Sequence, residues 1–287
     1  MRLGHTTKGV GVKMQNVKVQ VKIRKFRRLV RNFYKKNRRD MPWRRTRNAY
    51  HILVSEVMLQ QTRVSRVMEK YPAFLKRFPT VQSLAHAPLS AVLKEWSGLG
   101  YNRRAKFLKQ AAEKIVRSHQ GRVPATLKEL ARLPGVGKST AGGVLAFAYN
   151  TPTVFIETNI RRVFLHHFFP NQKNIPDSRI FPLVEKSLDR ANSREWYYAL
   201  FDYGAHLAET MPNPNVRSLH YARQTKFKGS FREARGKILR TLISNPRTFA
   251  YLVHLHELDK TVCGQALRAL IREGFVRRRG KSYIIAR

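Results

Sequence analysis

The chain has 287 residues, with 57 Lys and Arg against 17 Asp and Glu, a formal charge of +40 and 43% hydrophobic residues. It is long and apolar enough to bury a core, and its charge calls for a polyanion, with nucleic acid ahead of an anionic membrane surface. A single cysteine, Cys263, excludes intrachain disulfides and any site built from several cysteines, and no apolar run approaches the ~20 residues of a membrane span.

Residues 1–24 are basic and carry no apolar stretch that could act as a secretory signal. Val17, Val19, Val21 and Ile23 alternate with Lys18, Gln20, Lys22 and Arg24, a period of two that predicts a mobile extended arm tracking phosphates, or a short strand. A cytoplasmic, nucleoid-associated protein is expected, although an Arg-rich, acid-poor start also fits an organelle transit peptide. Residues 25–211 then read as one all-α domain, in which Pro42, Pro72, Pro79, Pro88, Pro124, Pro134, Pro152 and Pro176 separate eight to ten helices. Thr126 and Glu129 match a capping box ahead of Leu130.

Pro212 and Pro214 open a polar stretch, 212–230, which reads as a linker. In 231–287 the pattern predicts helices over 236–244, 248–255 and 261–273. A basic turn, Arg277-Arg278-Arg279-Gly280-Lys281, and Ser282-Tyr283-Ile284-Ile285 follow. Three helices and a hairpin are the order of a winged helix with a basic wing; a plain helical appendage is the blander reading.

Leu133-Pro134-Gly135-Val136-Gly137-Lys138-Ser139-Thr140-Ala141 joins the capped helix to a small-residue helix over 142–149. Two glycines one residue apart permit a tight turn whose N–H groups, with the following helix N-terminus, point at a phosphate, the signature of a helix-hairpin-helix. A nucleotide P-loop would need glycine where Arg132 stands. The Gly135, Val136, Gly137, Lys138 and Ser139 stretch is therefore the expected phosphate contact.

Glu56 is the only charged residue in 49–62, a helix otherwise apolar or neutral. Burial would raise its pKa and keep a proton available near neutral pH, as a general acid requires; a satisfied structural glutamate would look the same. Gln60 lies one turn on, where an amide can read a base edge.

Ser55-Glu56-Val57-Met58-Leu59-Gln60-Gln61-Thr62, Trp96-Ser97-Gly98-Leu99-Gly100-Tyr101 and Leu133-Pro134-Gly135-Val136-Gly137 together resemble the mismatch-adenine (MutY-like) members of the helix-hairpin-helix DNA glycosylase superfamily, over about residues 28–209. The resemblance implies an all-α, two-lobed fold, followed here by the winged-helix-like module. It also implies double-stranded DNA with a mismatched or damaged base as partner, and hydrolysis of the N-glycosidic bond of a flipped adenine mispaired with guanine or 8-oxoguanine; no membrane partner and a monomer are expected. Glu56 aligns with the general acid, and Gln61 and Tyr101 with residues that probe the opened duplex.

The chain departs from the family in three places. Glu157-Thr158-Asn159 stands where the family has Asp-Gly-Asn, so Glu157 is the expected second carboxylate, facing the sugar cation, with Asn159 beside it. Ala208 stands where the first of four cluster cysteines would be, so no iron–sulfur cluster is expected, nor any metal. The winged-helix-like module replaces the Nudix-like domain that often follows. Ser139 matches the position of the Schiff-base lysine in bifunctional relatives, and Lys138 is displaced from it by about 100° on a helix, so a monofunctional enzyme is expected. The alternatives are the same scaffold acting on uracil, hypoxanthine or thymine opposite guanine, with or without strand incision, and a damage-binding protein with a lost active site.

Overall fold

The computed structural model describes residues 7–222, 227 and 229–286, and the side chains from residue 18 onward. In chain order it runs α1 (Thr7–Asn37), α2 (Ala49–Leu59), α3 (Val64–Arg77), α4 (Val81–His86), α5 (Leu89–Trp96), α6 (Arg103–His119), α7 (Leu127–Leu130), α8 (Lys138–Tyr149), α9 (Thr158–Phe168), α10 (Asp177–Ser187), α11 (Ser193–Thr210), α12 (Phe231–Ser244), β1 (Arg247–Thr248), α13 (Phe249–His256), α14 (Lys260–Arg272), β2 (Val276–Arg279) and β3 (Ser282–Ile285). The helices form two compact units, one of residues 1–40 and 142–222, the other of 41–141 and 223–287. The boundary falls inside α8.

In the first unit α1 and α11 pack together, with α9 and α10 alongside. Ile23, Phe26, Val30 and Tyr34 recur at helical spacing and are buried, and Phe26 meets Phe164 and Trp196. The expected extended arm is therefore wrong over the described residues: 7–24 are helical, because Ile23 and Phe26 share an inward face and the intervening lysines and arginines are mostly exposed. Alternation over eight residues imitated a strand where the longer window carries a helical face.

The linker is also corrected at its start. Asn215 is buried and donates to the Thr158 carbonyl (3.1 Å), Arg217 donates to the carbonyls of Leu165 (3.2 Å) and Phe169 (3.4 Å), and Ile175 pairs with Ser218 as an isolated bridge. Prolines made this stretch look unstructured, yet it is fastened to α9. Of the rest of 212–230, residues 223–226 and 228 lie outside the described residues.

The second unit has α4 on α6 and α2 on α3, with Phe74 against Trp96 in its core. Helix α3 runs through Pro72, where a break was expected; burial of Val67, Tyr71 and Phe74 outweighs one lost ladder bond. The C-terminal elements belong to this unit rather than standing alone. Their order, α12-β1-α13-α14-β2-β3, with the sheet β1-β3-β2 antiparallel, is that of a winged helix, including a first strand the sequence did not suggest. No described helix is long and apolar enough to cross a membrane.

Candidate active site

Helix α2 starts under an Asn48 cap, whose side chain accepts from the N–H groups of Tyr50 (3.0 Å) and His51 (3.2 Å). Ile52, Leu53, Val54, Val57 and Met58 are buried, so the helix is apolar nearly all round, and Glu56 is half-buried among them. At the C-terminal end the Gln60 amide donates to Thr140 Oγ1 (3.0 Å) and the Gly135 carbonyl (3.4 Å). The side chain expected to read a base edge thus ties the carboxylate helix to the hairpin.

Arg104, which the sequence reading passed over, holds this corner together. Its buried guanidinium donates to the carbonyls of Val57 (3.0 Å), Met58 (2.7 Å), Leu99 (3.2 Å) and Gly100 (3.1 Å) and to Thr62 Oγ1 (2.8 Å), and it lies against the rings of Trp96 and Tyr101. Burial lowers its pKa to about 10, which leaves it charged at neutral pH. A cation at the C-terminal end of α2 meets the negative end of the helix dipole. No signal distinguishes this arginine in the sequence from the other basic residues; only the fold does.

Gln61 and Tyr101 are exposed and both have left-handed backbone, with φ of 53° and 48°. For a tyrosine that geometry is strained and persists only where the surroundings impose it. Arg104 grips the Leu99 and Gly100 carbonyls just ahead of Tyr101, Trp96 Nε1 donates to the Gly100 carbonyl (3.0 Å), and Arg232 donates to the Tyr101 hydroxyl (3.0 Å).

The hairpin follows the capped α7. Thr126 accepts from the Glu129 N–H (3.3 Å), and its hydroxyl donates to the Glu129 carboxylate (2.5 Å). Gly135 has φ of 73°, and a Cβ there would lie 2.7 Å from Phe107 Cβ, so glycine is required twice over. Val136 is buried and anchors the turn, while Gly135, Gly137 and Lys138 are exposed and Ser139 half-buried. Lys138 is the first residue of α8.

In the other unit Glu157 caps α9, its carboxylate accepting from the Ile160 N–H (2.7 Å) and from Asn159 Nδ2 (3.3 Å). Asn159 Oδ1 accepts from Arg162 (2.7 Å), which also donates to the Gly204 carbonyl (2.8 Å). Removal from water pushes the Glu157 pKa up, opposed by the backbone N–H groups and by Arg162 and Arg161. Arg161 is itself paired with Asp177 (2.6 Å). A carboxylate poor in water and short of a full counter-ion acts strongly on a nearby developing cation.

The four-cysteine cluster does not fit these residues. The chain's one cysteine, Cys263, is buried in α14 of the other unit, and the segment after Gly204 is fastened through Asn215 and Arg217 instead.

Residues 54–186 match the family model described as HhH-GPD superfamily base excision DNA repair protein. The adenine DNA glycosylase of Mycolicibacterium smegmatis is 33% identical over 264 residues, 85% of this chain and 90% of that protein. The adenine DNA glycosylase of Buchnera aphidicola subsp. Baizongia pistaciae is 36% identical over 169 residues, 58% of this chain but 48% of its own. That mycobacterial protein apart, the chain spans about half, or less, of the length of the curated relatives it matches. Among solved structures, a thermostable thymine-DNA glycosylase superposes with a TM-score of 0.58 at 28% identity, covering 64% of this chain and 86% of that one.

Proposed function

The chain belongs to the HhH-GPD superfamily of base excision DNA repair proteins, and we propose that it is a monofunctional DNA glycosylase, releasing adenine mispaired with guanine or 8-oxoguanine. The observation that carries this reading is Glu56, the only acidic residue of α2, half-buried on a helix whose end is fixed to the hairpin by Gln60 and to the Tyr101 loop by Arg104. Glu56 protonates the leaving adenine, so the bond between the base nitrogen and the sugar C1′ breaks with its electrons going to a neutral base. Glu157 faces the oxocarbenium-like sugar left behind, and water adds to C1′, forming the C1′–OH bond and releasing a proton to solvent.

Gly135, Val136, Gly137, Lys138 and Ser139 hold a phosphate of double-stranded DNA through backbone N–H groups, the α8 N-terminus and the Lys138 ammonium. Gln61 and Tyr101, fixed in strained backbone, enter the space vacated by the flipped base. Gln60 and Arg104 are positioning residues.

A second reading, thymine opposite guanine, is favoured by one observation: the superposed thymine-DNA glycosylase is 28% identical. Duplexes carrying A·G, A·8-oxoguanine, T·G, U·G and hypoxanthine, each assayed with and without alkali, separate the two. Alkali-dependent nicking at adenine is expected. Nicking at thymine alone would favour the second reading, and nicking without alkali would contradict a monofunctional enzyme.

A further inference from the structure

The C-terminal elements supply none of the carboxylates or hairpin residues given a role above, and their charge is lopsided. Between Lys260 and Lys281 the chain carries seven basic residues and one acid, Glu273. That acid is spent internally: Arg103 of α6 (2.9 Å) and Arg235 of α12 (2.6 Å) both pair with it, which holds its carboxyl below the usual range. Lys106 donates to the carbonyls of Glu273 and Gly274, and α12 packs on α5. The module is thereby mounted on α5 and α6, and Arg232 at its first turn reaches Tyr101 (3.0 Å).

Ahead of α14 the outside of the module is mixed, with Glu257, Asp259, Tyr251 and Leu255 exposed, but every exposed charge from Lys260 onward is basic. On α14, Cys263, Ala266, Leu267 and Leu270 turn inward, while Arg268 and Arg272 sit one turn apart on the exposed face. On β2, Arg277 and Arg279 alternate to one face of the ribbon, and both are exposed.

We infer that these side chains, Arg268 and Arg272 of the third helix with Arg277 and Arg279 of the wing, together form a second binding surface for the phosphate backbone of duplex DNA, mounted on the unit that carries Tyr101. A helix and an adjoining β-ribbon presenting like charge is a shape that follows a groove and its phosphates. The competing account is that arginines on β2, an edge strand, merely prevent edge-to-edge pairing. It leaves Arg268 and Arg272, which are not on an edge, without a reason.

The inference rests on the glycosylase reading only in taking DNA as the partner. The test uses the full chain with Arg268→Ser, Arg272→Ser, Arg277→Ser and Arg279→Ser combined, and a control with lysine at all four positions. Binding to an undamaged duplex of about 30 base pairs is measured between 50 and 200 mM KCl. Each phosphate contact contributes about 0.9 to the slope of log affinity against log salt, so the serine variant is expected to lose about 3–4 from the slope and at least tenfold in affinity at the lower salt.

The lysine variant should keep the slope, since all four changes are on exposed side chains and preserve charge. Single-turnover excision at saturating serine variant should match the parent. An unchanged slope in the serine variant would overturn the inference, and aggregation with the parental slope would establish the edge-strand account. If the parent excises no lesion, the glycosylase reading fails, while the binding comparison still decides this one.

Discussion

On the proposed mechanism Glu157 combines two jobs that conflict. Its carboxylate satisfies the first turn of α9, which a glutamine oxygen would do equally well, and its raised pKa shows that the ionised form is disfavoured where it stands. A carboxyl whose folded pKa lies above its unfolded one lowers stability as pH rises through that window. Glu157→Gln is therefore expected to raise the melting temperature at pH 7.5 while cutting excision on the order of a hundredfold or more. If the residue is only a cap, excision survives. Because the charge must be present to stabilise the cation, the parental rate should fall on acidification with a midpoint above the ordinary glutamate range.

His167 makes the opposite stability argument. It lies against Tyr203 (2.9 Å) beside His166 and Lys22, and burial first, then those charges, lower its pKa to about 4. The unfolded chain binds this proton more tightly, so stability should drain away as pH falls from about 6.5 towards 4. Melting temperatures of the parent and His167→Gln across that range check it; equal slopes would remove His167 as the cause.

At the scale of elements, the hairpin depends on an approach only glycine permits. Gly135→Ala places a methyl 2.7 Å from Phe107 Cβ at φ of 73°, a cost of about 1–3 kcal/mol, and should shift the turn enough to weaken duplex binding. Gly204→Ala meets the Asn159 carbonyl at 2.7 Å and should instead disturb the Glu157 network, lowering excision more than affinity. Duplex affinity beside the single-turnover rate distinguishes the two, and equal behaviour would contradict this division.

The motifs proposed to carry chemistry stand out in the sequence because each has local grammar: a lone carboxylate on an apolar helix, two glycines around a valine, a capping pair. What escaped is non-local. Arg104 matters because four carbonyls, two from the end of α2 and two from the loop before Tyr101, converge on it, and no spacing announces convergence. Gln60, expected at a base edge, is engaged with Thr140, 80 positions away. Helix α12 begins at Phe231 under a Ser230 cap that accepts from the Glu233 N–H (3.3 Å), a pattern present in the sequence but eclipsed by Gly236, which looked like a start. The two-residue strand β1 exists only because β3 pairs with it.

For the whole molecule, the +40 charge argues for a duplex and says nothing about chemistry, since a protein that merely coats DNA would have the same composition. The claim that separates an enzyme from a binder is that the proton on Glu56 reaches the leaving base. The most direct test is single-turnover adenine release from an A·8-oxoguanine duplex by the parent and by Glu56→Gln, with duplex affinity measured on the same samples. The amide keeps the shape and cannot donate the proton, so a loss on the order of a hundredfold or more is predicted, with affinity nearly unchanged. Adenine release at the parental rate by Glu56→Gln would contradict the account.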